Sequence, residues 1–337
     1  MKRTLWIGHG NSAQAWYRCC IPATELKQDW IGIMEGPPDD GGIMIAGNCR
    51  EMPNVKEYEV IIVQLAMGEQ WVKAVKRWQK AGITVYYECD DYMHGVRNIN
   101  DHKFKSAYSS KRLKEYVAVM KACDGLIVTT QFLGEQYSKY NSNVHVCQNF
   151  INTELYDVLP HEKTDGNVVI GWSGGTGHLQ PIKSWYRDLL DVMTTWNNTA
   201  FISIGTNYAD EVAMAFPERS LSVPWTNMEN YPYALRAMDI GIAPSHDSKY
   251  FRSKSDLRWV EGSAVGIPMI VNPITYPDVV DGVTGMVATS GEEFEDKLST
   301  LVMDADLRNE IGQNAKTYMQ ENRDIRQGAK QWEAFLS

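Results

Sequence analysis

A cation, a hydroxyl and a carboxylate stand in short order in Lys254-Ser-Asp-Leu-Arg-Trp-Val-Glu261, and a Gly266-Ile-Pro268 turn with an apolar run follows. Lys254, Arg258 and Glu261 are spaced four and three apart, so on a helix beginning at Lys254 they share one face. Lys254 and Ser255 at a helix start suit a phosphate, because the first backbone N–H groups and the helix dipole already favour an anion there. Glu261 then lies two turns deeper, roughly 10 Å along the axis. That is about the separation of a pyrophosphate from the ribose of the same nucleotide. The same spacing also suits a salt-bridged helix that holds no ligand.

Three further segments carry candidate chemistry. Gly171-Trp-Ser-Gly-Gly-Thr-Gly-His178 lies between an apolar strand and a helix, where glycines let backbone approach phosphates. It lacks both the dinucleotide spacing and the Gly-Lys-Ser/Thr ending of a P-loop. Gly8-His-Gly-Asn-Ser12 repeats this chemistry near the N-terminus. Facing loops of this kind would enclose a ligand between two domains, although a plain strand-to-helix turn fits Gly8–Ser12 equally well. Glu88-Cys-Asp-Asp-Tyr-Met-His94 ends an apolar strand, and side chains there point into the cleft of a parallel sheet. The Asp90-Asp91 pair has no Asp-x-Asp spacing and no partner cluster, so no metal site is expected. Asp304-Ala-Asp306 reads as a helix cap.

The elements that must position these segments alternate along the chain. Short apolar runs at Thr4–Ile7, Tyr58–Gln64, Ile83–Glu88, Gly125–Thr129 and Val144–Cys147 read as strands separated by helical patterns. Strands of this kind imply a parallel sheet covered on both faces. Residues 150–167 form a polar link, after which the alternation restarts at Val168–Trp172. The expected fold is α/β with two Rossmann-like domains, over residues 1–155 and 156–321, and a last helix, 322–337, crossing back to the first.

Composition sets outer limits. At 337 residues the chain has room for two domains. Its apolar runs fall short of the roughly 18 residues of a membrane span. Six cysteines without regular spacing suggest a reduced, cytoplasmic protein. The net charge of −9 argues against a general nucleic-acid binder. Residues 1–160 nevertheless balance 18 basic against 18 acidic side chains, so the excess lies wholly in the second half. A basic, aromatic-containing segment with Lys103, Lys105, Lys111 and Arg112 leaves room for an anionic acceptor, and a solvated helix face fits it too.

Tyr231-Pro-Tyr-Ala-Leu-Arg-Ala-Met-Asp-Ile-Gly-Ile-Ala-Pro244, Lys254-Ser255 with Glu261 and Gly266-Ile-Pro268, Tyr276 with Gly282-Val-Thr-Gly285, and Asp306-Leu-Arg-Asn-Glu-Ile-Gly-Gln-Asn-Ala315 occur in that order. Together with Ala15–Arg18, Pro22–Leu26 and Gln148-Asn149, they resemble the retaining GT-B glycosyltransferases of the group 1 type over nearly the whole chain. The resemblance implies transfer of a sugar from a nucleotide sugar, expected to be UDP-linked, to a hydroxyl with retention of configuration. It implies neither a metal nor another cofactor. Glu261 would hold the ribose hydroxyls and Ser173–Thr176 would face the diphosphate. The implied donor site comprises Gly10, Ser173, Gly174, Gly175, Thr176, His178, Val223, Tyr231, Arg252, Lys254, Ser255 and Glu261. Asp91 and His94 are the catalytic candidates.

Members of the family often carry an acid eight residues before the Glu261 position, against the donor sugar. Ser253 stands there in this chain, which leaves the sugar open. For the acceptor, a hydroxymethylated pyrimidine in DNA, as modified by some viral members in the host cytoplasm, stands beside a glycan or small molecule. A nucleotide-sugar epimerase and a non-catalytic nucleotide-binding protein are the alternatives from other classes.

Overall fold

The computed structural model describes residues 1–98, 108–159 and 166–337. Seven strands form the first sheet: β1 (Thr4–His9), β2 (Asp29–Glu35), β3 (Gly42–Gly47), β4 (Val60–Gln64), β5 (Thr84–Cys89), β6 (Gly125–Val128) and β7 (Val144–Val146). Their order is β3-β2-β1-β4-β5-β6-β7, parallel except for the β2–β3 pair. The second sheet holds β8 (Val168–Gly174), β9 (Thr199–Gly205), β10 (Ser220–Val223), β11 (Ile240–Ala243), β12 (Met269–Val271) and β13 (Met286–Val287). Its order is β10-β9-β8-β11-β12-β13, parallel throughout. The inner strands are buried on both faces, as helices on either side require.

Strand order reverses between β1 and β4 in the first sheet and between β8 and β11 in the second. The crevice beyond the carboxyl ends of such strands is where open α/β sheets take ligands. Gly8–Ser12 spans the end of β1 and the turn after it, and Gly175–His178 follows β8. Both glycine-rich segments therefore stand at the reversals.

Strands β2 and β3 go unseen in the sequence pattern. Gly32 interrupts the apolar run of β2, and close packing demands it: a Cβ there would lie 2.3 Å from the Gly10 carbonyl oxygen. β3 is a half-exposed edge strand.

The stretch read as a polar link is partly core. Phe150, Ile151, Tyr156 and Val158 are buried. Ile151 pairs with the chain's return: its N–H donates to Arg323 O at 3.1 Å, and Ile325 N–H donates to Ile151 O at 2.8 Å. The final helix, Ile325–Leu336, packs on the first sheet. There Trp332 meets Trp6 edge-on at 4.7 Å between ring centroids. All six cysteines are free thiols. Among the described residues no helix is long and apolar enough to cross a membrane.

Candidate active site

The segment around Glu261 is two helices rather than one. Lys249–Ser253 ends at Lys254, whose ψ of 145° is extended, and Leu257–Ala264 begins after Asp256. This corrects the expectation of one helix starting at Lys254. Arg258 and Glu261 are helical, whereas Lys254 lies in the break between the two helices. Freed from the helix, Lys254 reaches the other half of the molecule. Its Nζ lies 2.8 and 3.0 Å from the two carboxylate oxygens of Asp91, and it sits over the Tyr250 ring at 4.7 Å. Burial works against its charge, but Asp91 and Tyr250 together outweigh burial and the lysine pKa rises.

Glu261 is only 5% exposed. Tyr17 Oη donates to its Oε1 at 2.5 Å and lies 2.7 Å from Tyr156 Oη. Burial pushes the Glu261 carboxyl up to about 7, against the opposing pull of the Tyr17 hydrogen bond and Arg258.

Tyr17 and Arg18 come from a helical run with a π segment, Trp16–Cys20, between α segments Ala13–Ala15 and Ile21–Glu25. Pro22 has no N–H to offer the Arg18 carbonyl four residues back. Ile21 N–H bonds Trp16 O five residues back instead, the geometry of a π-bulge. Ser12 caps the run through Ala15 N–H at 3.1 Å. Two adjacent side chains, Tyr17 and Arg18, thereby both turn inward and are buried.

Arg18 Nε donates to Glu88 Oε1 at 2.6 Å, and its Nη1 donates to Cys147 O at 2.7 Å and Asn149 Oδ1 at 3.0 Å. Asn149 Nδ2 in turn donates to Ser255 Oγ at 2.9 Å. A buried ion pair of the first half thus positions a hydroxyl of the second. Burial raises the Glu88 pKa against the pull of Arg18. Next to Glu88, Asp90 accepts from Gln14 Nε2 at 3.1 Å. Burial first, then Asp91 and Glu88, push its carboxyl up to about 7.

These groups face one cavity of about 350 Å³ between the two sheets. Of the residues expected from the sequence, Asp91, Ser173, Gly174, Gly175, His178, Tyr231, Lys254, Ser255 and Glu261 line it. Gly174 must be glycine, since a Cβ would lie 2.8 Å from the Trp172 ring. Burial, then Arg258 and Lys254, depress the His178 pKa well below the usual range, so its imidazole is neutral.

Others stand apart from the lining. Gly10 turns the chain with φ 67° and bonds Ile33 O. Thr176 is exposed, Val223 ends β10, and Arg252 pairs with Asp247 on the surface at 2.5 Å. His94 stacks on Tyr140 at 5.6 Å and bonds its hydroxyl at 3.2 Å. Lys111 and Arg112 open the helix Ser110–Ala122. Lys103 and Lys105 lie outside the described residues.

Sequence reasoning missed Gln14, Tyr17, Arg18, Asp90, Trp225 and Arg258, which also line the cavity. Four of them had a signal: Asp90 lies inside the quoted Glu88–His94 segment, Arg258 shares the Lys254–Glu261 spacing, and Tyr17 and Arg18 fall within Ala15–Arg18. Among the described residues, no three His, Cys, Asp or Glu side chains converge as a metal site would require.

Comparison with known proteins places this geometry in context. HepE of Anabaena, in a structure with UDP and glucose, matches 100% of this chain and 99% of its own at 14% identity and a TM-score of 0.67. A glycosyltransferase from Rickettsia africae ESF-5 matches 99% of this chain and 98% of its own, at 15% identity and a TM-score of 0.63. TarM of S. aureus matches 82% of this chain and 55% of its own, at 15% identity and a TM-score of 0.59. The fold is GT-B. Within it, residues 183–334, which include Lys254 and Glu261, match a family described as glycosyl transferase-like. No curated protein matches the chain by sequence.

Proposed function

We propose that this GT-B protein is a glycosyltransferase that moves a sugar from a UDP-sugar to an acceptor hydroxyl with retention of configuration. The observation that carries the reading is the shared cavity. Glu261, Lys254 and the Ser173–Gly175 turn line it from the second sheet, and Tyr17, Arg18 and Asp91 line it from the first. A carboxylate for ribose hydroxyls and a cation for the diphosphate stand in one enclosure, as a nucleotide requires. The structural neighbour bound to UDP and glucose supports the same reading.

In this reading Glu261 accepts the ribose hydroxyls. Lys254, Arg258 and the backbone N–H groups after β8 neutralise the departing diphosphate without a metal. Asp91 acts through Lys254, holding the ammonium at the cavity wall until phosphate competes for it. With the leaving phosphate on the acceptor's side of the sugar, that phosphate takes the acceptor proton and no separate base is needed. The cavity walls exclude water and suppress hydrolysis. His94, off the cavity, has no role in this scheme.

The test is a thermal-shift and calorimetric comparison of wild type with Glu261→Ala against UDP, UDP-glucose and UDP-N-acetylglucosamine. The expected result is binding by wild type and a loss of at least tenfold in the variant. Equal affinity in both removes Glu261 from the reading. Transfer assays then offer oligosaccharides and hydroxymethylated DNA as separate arms. Transfer to the DNA arm alone identifies the modified base as the acceptor.

A further inference from the structure

We infer that Asp90 hydrogen-bonds a hydroxyl of the sugar carried by the nucleotide and so selects which sugar is accepted. This rests on the nucleotide-sugar reading above.

The argument runs through the charged groups of the cavity. Its carboxylates are Asp90, Asp91 and Glu261. Asp91 gives both oxygens to Lys254, and Glu261 accepts from Tyr17. Arg18 pairs with Glu88 through Nε, and its Nη2 has no hydrogen-bond partner among the described residues. Asp90 has its Oδ1 held by Gln14, and its second oxygen has no hydrogen-bond donor among the described residues. It is a partly buried carboxylate that faces the cavity, and no described residue forms an ion pair with it. Such a group calls for hydrogen-bond donors from whatever fills the space.

A second group in the same cavity has the complementary need. Among the described residues, Arg258 Nη1 is buried without a hydrogen-bond partner, its Nη2 donates to the Pro244 carbonyl at 3.4 Å, and the guanidinium sits 5.9 Å from the Tyr276 ring. One ligand satisfies both groups if it carries an anion at one end and hydroxyls at the other, which describes a sugar joined to phosphate. Asp90 is the sequence neighbour of Asp91, which holds Lys254, so the first group beyond the phosphates on that side is the sugar.

Among the described residues, the second half lines the cavity with no carboxylate besides Glu261. Ser253 is fully buried and its hydroxyl donates to Tyr250 O at 2.7 Å. Asp247 is held by Arg252 and Asp256 by Arg323. Burial, which raises the Asp90 pKa, makes a hydroxyl a better partner than bulk water. A site built around a sugar hydroxyl also rejects a sugar that lacks it or places it elsewhere, because the carboxylate is then left unmet.

Asp90→Asn keeps the shape and the oxygen that Gln14 holds. The measurement is the ratio of affinities, by calorimetry, for UDP and for whichever of UDP-glucose, UDP-galactose and UDP-N-acetylglucosamine wild type binds best. The substitution is expected to leave UDP affinity within about twofold and to weaken the UDP-sugar by roughly tenfold to hundredfold, the range for a hydrogen bond to a charged acceptor. Gln14→Ala, which releases the carboxylate, should shift the ratio in the same direction by less, and decides the matter if Asp90→Asn loses UDP binding as well. An unchanged ratio in a variant that still binds UDP overturns the assignment of Asp90 alone. A wild type that binds neither UDP nor any UDP-sugar overturns the nucleotide reading, and Asp90 with it.

Discussion

Glu261 is a carboxylate kept under a phenol. Its pKa in the fold stands at about 7, above the ordinary 4.5, so folding takes up a proton between those values. The stability this group contributes is therefore complete below about pH 4.5 and is lost as pH rises through 7. Glu261→Gln keeps an acceptor for Tyr17 and removes the titration. We expect its melting temperature to gain on wild type between pH 5 and pH 8, and parallel profiles would show that the carboxyl is not raised. Glu261 could be read from the sequence because its spacing from Lys254 is local. Tyr17, its partner, is 244 positions away. Ala15–Arg18 carries part of the family resemblance, but nothing in that run pairs Tyr17 with Glu261, and only the fold brings the two together. Lys254 lines the cavity for a different local reason from the expected helix start. The helix expected beneath it breaks, and the break is what lets it reach Asp91.

Elements differ in how openly the sequence states them. β4 is a near-continuous apolar run and β5 is rich in Val and Tyr, both bounded by turns, and the local pattern finds them. β2 carries a glycine whose reason is another strand's loop, and β3 alternates on an exposed edge. The π segment at Trp16–Cys20 depends on one missing donor, at Pro22, which a helical pattern does not distinguish from an ordinary start. The helix bearing Glu261 is held in a similar close-fitting way. It runs to Ala264, Gly266 turns the chain just beyond with φ 80°, and Gly312 of the helix Ala305–Asn322 lies against that turn. A Cβ on Gly312 would approach the Gly266 carbonyl oxygen to 2.3 Å. Backbone cannot swing aside as a side chain does, so Gly312→Ala should cost about 1–3 kcal/mol, the usual range for overpacking. Chemical denaturation measures it. A cost below about 0.5 kcal/mol would mean that the two helices part easily.

At the scale of the whole molecule, the last helix joins the first sheet to the site. Trp332 is buried against Trp6 and lies 5.0 Å from the Arg18 guanidinium, so the ring lies under the residue that positions Asn149 and Ser255. Trp332→Ala is expected to lose about 3–5 kcal/mol, as for other buried aromatics, read from the denaturant midpoint. A smaller loss would show the helix to be an accessory. The chain passes between its halves twice, near Ile151 and near Asp324, and the two passages are bonded to each other, with Thr153 also held by the Asp324 carboxylate. Strands crossing side by side act as a pivot. The halves can turn about that line but cannot slide or separate along it. Lys254–Asp91, Tyr17–Glu261, Asn149–Ser255 and Thr130–Ser253 all bridge the halves beside that line. A turn that widens the cavity works against these contacts, so the bonds that organise the site also resist the exchange of one ligand for the next.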